Sequence, residues 1–140
     1  MKFSALLVAV VTLVAGGMLY ISTASAAGTE VVLGQKYVSN NGATNALGTV
    51  IDNTVTVTVT DSAANTNSGS AQTISASKTV VTNITTGETV TLAVVESGAN
   101  TGIFAGTFSV SSSTTTGTMI KAVEGQTIKV EYTTALNLTI

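Results

Sequence analysis

The residues best equipped for chemistry are oxygen donors in two short stretches. DSAANTNSG carries Asp61, Asn65 and Asn67, and ESGANTG carries Glu96 and Asn100. Ca²⁺ binds carboxylate, amide and backbone oxygens of this kind. If the two stretches are loops at one end of a domain, the five residues form a candidate calcium site. Only two of them are carboxylates, so compensation of the ion's charge is weak. Asp and Asn also fold back onto their own backbone as Asx-turns, which explains the same residues without a metal. No other cofactor is expected.

Three further residues invite modification chemistry. Asn83-Ile-Thr and Asn137-Leu-Thr match the N-glycosylation acceptor pattern, and Asn83 is expected in an exposed loop before Gly87. Lys78 shares the parity of Ile74 and Val80 in an apparent strand, Ala71 to Thr82. An inward lysine there suits an intramolecular isopeptide bond to an asparagine, whereas an edge lysine simply snorkels. Catalysis has little to work with. The chain has no Cys and no His, and nothing outside the two loops pairs carboxylates as glycoside hydrolysis requires. The expectation is a protein that is not an enzyme.

The composition narrows the class further. The chain has 140 residues, a net charge of −2, and 9 % charged residues, against about 25 % in ordinary soluble domains. Its 44 % hydrophobic content argues against disorder. Polar surface must therefore consist of hydroxyls and amides, which respond weakly to salt and pH and repel one another little. With no Arg and no basic cluster, nucleic acid is not an expected partner.

The N-terminus, MKFSALLVAVVTLVAGGMLYISTASAAGTE, has Lys2, an uncharged run from Phe3 to Ile21, and Ala24-Ser25-Ala26. This is the layout of a secretory signal peptide cleaved near Ala27. The run is also long enough to span a bilayer, so a retained apolar helix is the alternative. Residues 1–26 are assigned to this segment and residues 27–140 to one domain. Membrane contact is expected only through residues 3–21, if they are retained.

Period-2 alternation dominates the rest. Thr54 to Thr60 puts Val55, Val57 and Val59 on one face. Glu88 to Val95 does the same with Val90, Leu92 and Val94, and Gln126 to Tyr132 with Ile128, Val130 and Tyr132. Glu30 to Val38 presents Val31, Leu33 and Tyr37; Leu136, Leu138 and Ile140 alternate at the C-terminal end. Thr118 to Val123 is a short strand. After the turn Glu96–Gly102, where Gly98, Asn100 and Gly102 tolerate positive φ, Phe104, Phe108 and Val110 share one face and are expected to plug the core. Gly106 between them makes room or marks a bulge. The pattern reads as an all-β, antiparallel sandwich of about seven to eight strands.

Three phrases in order are more specific than periodicity: DNTVTVTVTDSAANTNSGSAQTI, GETVTLAVVESGANTGIFAGTFSV and EGQTIKVEYT. Together they resemble the Ig-like β-sandwich repeats of prokaryotic, especially archaeal, S-layer and other cell-surface proteins. The resemblance covers roughly residues 30 to 134 and implies an extracellular, structural protein with cell-wall or S-layer contacts. Those proteins string many repeats together, whereas this chain carries one. The N-terminal run gives a weaker resemblance to archaeal type IV pilins, although no Lys-Gly processing site precedes it.

A single-copy domain gains length by assembling with itself. The expected partner is therefore a second copy, joined by strand addition through Val31, Leu33 and Tyr37 or through Leu136, Leu138 and Ile140. A pilin-like subunit built on a retained helix and a monomeric adhesion module are the alternatives.

Overall fold

The structure, a computed structural model, describes residues 6–14, 18–21, 24–26, 29–34, 38 and 53–133, and within residues 6–26 it describes the backbone alone. Tyr37, Asn137, Leu136, Leu138 and Ile140 lie outside the described residues.

The described chain is all-β. Strands β1 (Leu6–Val14), β2 (Met18–Ile21), β3 (Ala24–Ala26), β4 (Thr29–Leu33), β5 (Thr54–Asp61) and β6 (Thr73–Ile74) are followed by a 3₁₀ turn, Ala76–Lys78. Then come β7 (Thr79–Asn83), β8 (Thr89–Thr91), β9 (Val94–Glu96), β10 (Ile103–Ser111), β11 (Met119–Lys121) and β12 (Thr127–Thr133). One sheet has the order β2-β1-β12-β7-β8, the other β3-β4-β5-β10-β9-β6, with β11 added to β10. All pairings are antiparallel except β10 with β11.

Both sheets contribute to one hydrophobic core, consistent with a β-sandwich. β5 alternates without exception, its valines buried and its threonines half-buried. Val55, Val57, Val59, Val90, Leu92, Val94, Phe104, Phe108, Val110, Ile128, Val130 and Tyr132 are all buried. The rings of Phe104 and Phe108 sit on β10 opposite Val59 and Val55 of β5, where large side chains bury most area per residue.

Three elements differ from the sequence expectation. Glu88 to Val95 is two strands: β8 pairs with β7 in the first sheet, and β9 pairs with β10 and β6 in the second. The chain changes sheets at Leu92-Ala93 while keeping one inward row, so alternation alone hides the break. Gly106 makes this passage possible. A Cβ there would stand 2.7 Å from the Ala93 carbonyl oxygen and 3.0 Å from Val94 Cγ1. Ala71 to Thr82 is likewise two strands interrupted by the 3₁₀ turn. Lys78 closes that turn and is exposed, so its parity with Ile74 and Val80 does not carry it inward.

The third difference is at the N-terminus. Leu6–Val14, within the segment read as a signal peptide or a retained apolar helix, forms a strand that pairs with β12 from Leu6↔Thr133 to Thr12↔Thr127. Its content of valine and threonine suits a strand, and β12 offers it an edge. Among the described residues no helix is long and apolar enough to cross a membrane.

Candidate functional site

The inward rows of β5 and β9 both end in a buried carboxylate. Asp61 follows Val55, Val57 and Val59 on the same face and is 1 % exposed; Glu96 follows Val94 and is 4 % exposed. Each meets the chain as it leaves the strand. Asp61 Oδ1 accepts the backbone N–H groups of Ala63 and Ala64 at 3.0 and 3.3 Å. Its Oδ2 accepts the Tyr132 hydroxyl at 2.7 Å across the sandwich.

Glu96 organises the second loop. Its Oε1 accepts the N–H groups of Thr101 and Gly102, both at 2.9 Å, and its Oε2 accepts the N–H of Gln72 at 3.1 Å. Asn100 and Gly102 adopt positive φ of 65° and 63°, which turns these amides back onto the carboxylate. The Gly102 N–H does most to hold the Glu96 carboxyl below the usual carboxylate range; burial opposes it, and the Thr101 and Gln72 amides reinforce it. Tyr132 moves the other way. Burial, then its hydrogen bond to Asp61 and the charge there, raise its hydroxyl above the ordinary phenol range.

The five candidate calcium ligands are therefore only partly assembled. Asn65 Nδ2 donates to Asn100 Oδ1 at 3.0 Å, linking the two loops. Asn67 is exposed and turns on itself, accepting the Gly69 N–H and donating to Ser70 Oγ. The carboxylate oxygens of Asp61 and Glu96 already accept N–H or O–H donors. Among the described residues, no three acidic, His or Cys side chains converge as metal ligands. Asn65 Oδ1 is buried without a partner, but one neutral oxygen does not make a cage for a divalent cation. As placed, Asp61, Glu96 and Asn67 cap backbone N–H groups, and Asn65 bonds to Asn100.

Asn83 does not stand in an exposed loop. It ends the inward row of β7 and is fully buried. Its Nδ2 donates to the Lys121 carbonyl at 2.8 Å and to Gln126 Oε1 at 2.9 Å, and its Oδ1 accepts the N–H groups of Thr85 and Thr86. A glycan needs that nitrogen free and in solvent. Lys78, exposed in its turn, has left the core position an isopeptide bond requires.

A depression of ≈ 220 Å³ lies between Ala63, Ala64, Ile74, Lys78 and Tyr132. It is smaller than the usual ligand pocket of about 300–1,000 Å³. The described aromatic rings, Phe104, Phe108 and Tyr132, are all buried and so present no platform for sugar.

Of the expected assembly residues, Val31 and Leu33 are in β4, 0 % and 1 % exposed, beside Val59 and Val57 of β5. They complete the second sheet within the chain. Sequence reading missed the Asp61–Tyr132 bond and the role of Asn83. The signal was present: each polar residue continues an inward apolar row, and an inward tyrosine needs a partner for its hydroxyl.

Comparison with protein-family models, with curated proteins and with solved structures finds no match to this chain.

Proposed function

We propose that this protein is an exported, Ig-like structural subunit that assembles with copies of itself into a cell-surface filament or layer by strand addition. One observation carries the reading. Residues expected to leave on export supply the strands on one side of both sheets: β2 and β1 lie beyond β12, and β3 lies beyond β4. β1 also lies against β3 and β4, so the two edges share one flank. Cleavage after Ala26 bares that flank, and backbone donors and acceptors along two strands then need partners. A second copy supplies them. The weakly charged, hydroxyl-rich surface supports close packing of identical subunits.

The reading with a retained helix as filament core draws no support from Leu6–Val14, which is a strand. The adhesion module lacks an observation in its favour.

The test is intact mass and N-terminal sequencing of protein from the cell surface, with negative-stain microscopy of the same fraction. Polymers whose chains start near Ala27 support the proposal. Polymers that keep residues 1–26 favour the pilin-like alternative. Soluble monomers starting near Ala27 overturn self-assembly.

A further inference from the structure

We infer that the flank bared by export pairs with a second copy through β12, antiparallel about a two-fold axis at Val130. The inference rests on the self-assembly proposed above and specifies its surface, register and partner.

The first observation is which backbone groups face the bared edge. β12 registers with β7 from Ile128↔Asn83 to Tyr132↔Thr79, and just beyond that pairing the Ile84 N–H donates to the Thr127 carbonyl at 3.0 Å. In an antiparallel ladder the N–H and C=O of one residue point to the same side, and successive residues alternate. Thr127, Lys129 and Glu131 therefore bond toward β7. Ile128, Val130 and Tyr132 direct their groups toward the place that β1 holds. β1 belongs to the segment expected to be cleaved, so in the exported chain these groups need partners.

The second observation is that β12 is complementary to itself. It reads Thr, Ile, Lys, Val, Glu, Tyr, Thr. Two copies laid antiparallel about Val130 set Val130 opposite Val130 and Ile128 opposite Tyr132 at hydrogen-bonded positions. Lys129 of each copy then stands opposite Glu131 of the other. These are non-hydrogen-bonded positions, where Cα atoms are about 4.5 Å apart and side chains come closest. Opposite charges placed so stabilise the pairing.

The third is that this charged pair has no charged register partner within its own chain. Lys129 registers with Thr82 of β7 and Val10 of β1, and Glu131 with Val80 and Val8. Lys129 Nζ instead meets Glu131 Oε1 along the same strand at 2.8 Å, with both side chains partly exposed.

The charges also choose the register. Sliding one copy by two residues keeps each inward row inward but sets Lys129 against Lys129 or Glu131 against Glu131, and like charges directly opposite are destabilising. Sliding by one residue turns the inward row of one copy outward. Pairing about Val130 avoids both faults. It is isologous and closes with two chains, so the dimer is the unit and growth beyond it uses another surface.

Charge swapping tests this on protein exported and processed as the wild type is, with chains that start near Ala27. Lys129→Glu sets acid against acid at both cross-strand pairs, and Glu131→Lys sets base against base. In sedimentation velocity each variant alone should fall to monomers at concentrations about tenfold or more above those at which wild type does. An equimolar mixture of the two variants restores opposite charges at both pairs and should give dimers with one chain of each kind. Losing the bond along a single strand cannot produce that rescue. The double variant Lys129→Glu/Glu131→Lys should dimerise by itself, which serves where a single variant fails to fold by circular dichroism. Wild-type assembly that both single variants leave unchanged, or a loss that neither the mixture nor the double variant restores, overturns pairing through β12 and leaves self-assembly standing. Wild-type chains that start near Ala27 and stay monomeric overturn both.

Discussion

Gly106→Ala isolates the steric demand of the crossing between sheets. The added methyl would stand 2.7 Å from the Ala93 carbonyl oxygen, 3.0 Å from Val94 Cγ1 and 3.3 Å from Leu92 Cγ. The first contact is backbone, so relief requires β10 or the β8–β9 passage to move by about half an ångström. Such overpacking costs about 1–3 kcal/mol. Alanine gains about 0.5–1 kcal/mol over glycine in strand entropy, too little to offset a backbone clash. The damage also falls beside the register pairs joining β9 to β10, Phe104↔Glu96 and Ala105↔Val95. The expected net loss is about 2 kcal/mol, or roughly 6–10 °C in melting temperature for a domain of this size. Urea and thermal unfolding followed by circular dichroism measure it. Gly98→Ala is the control, because its Cβ would meet only Thr101 Cγ2 at 3.5 Å, and its midpoint should stay within about 0.5 kcal/mol of wild type. A Gly106→Ala midpoint at or above wild type refutes the crossing geometry.

Tyr132→Phe removes a hydrogen bond to a carboxylate and should cost about 1.5–3 kcal/mol at pH 8. Because the folded hydroxyl pKa is raised, its contribution is complete below the unfolded value of 10.0 and declines above it. The gap between wild-type and Tyr132→Phe urea midpoints should therefore narrow from pH 8 to pH 11; a constant gap contradicts the buried pairing. Glu96 has a lowered pKa, so its contribution is present above about 4.5 and is lost as pH falls below that value. Glu96→Gln should flatten the acid limb of a melting-temperature profile between pH 5 and pH 2, and an unchanged slope argues against the three amide contacts. Asn83→Ala strips the bonds that join β7 to the β11–β12 connection and should destabilise by about 2–3 kcal/mol. Peptide mapping of native protein should find Asn83 unmodified, and a glycan there would contradict its burial.

Strands β5 and β12 were legible because one face of each is apolar and the other polar, and in β5 β-branched residues fill both faces. The inward core residues followed from the same parity. Parity could not reveal where β8 passes to β9, since Val90, Leu92 and Val94 face the core on either side of the crossing. Gly106, out of place in a strand, carried that information and could be read only as room or a bulge. Lys78 misled for a related reason: a 3₁₀ turn shifts the phase of alternation without a Gly to announce it. The two loops bearing Asp61 and Glu96 were found correctly as neighbours at one end, as the Asn65–Asn100 bond shows. Their chemistry was not legible, because a carboxylate that caps amides and one that binds a cation have the same sequence.

The buried polar residues solve a problem that the repeat itself creates. A strand such as TVTVTVT specifies which face is inward, because a slip of one residue exchanges valine for threonine along the whole row. It does not resist a slip of two residues, which restores the same pattern. Asp61 breaks that degeneracy. It stands at the last inward position of β5, and its bonds to Ala63, Ala64 and Tyr132 are made in one register only. Glu96 ends β9 in the same way through Thr101, Gly102 and Gln72, and Asn83 ends β7 through Lys121, Gln126, Thr85 and Thr86. The apolar rows supply cohesion, and the polar residue at the end of each supplies position. That division matters most beside β5, where β4 pairs through Val31 and Leu33 with no charged group between them and Val59 and Val57. Asp61, opposite Thr29 at the end of that pairing, fixes where β5 stops.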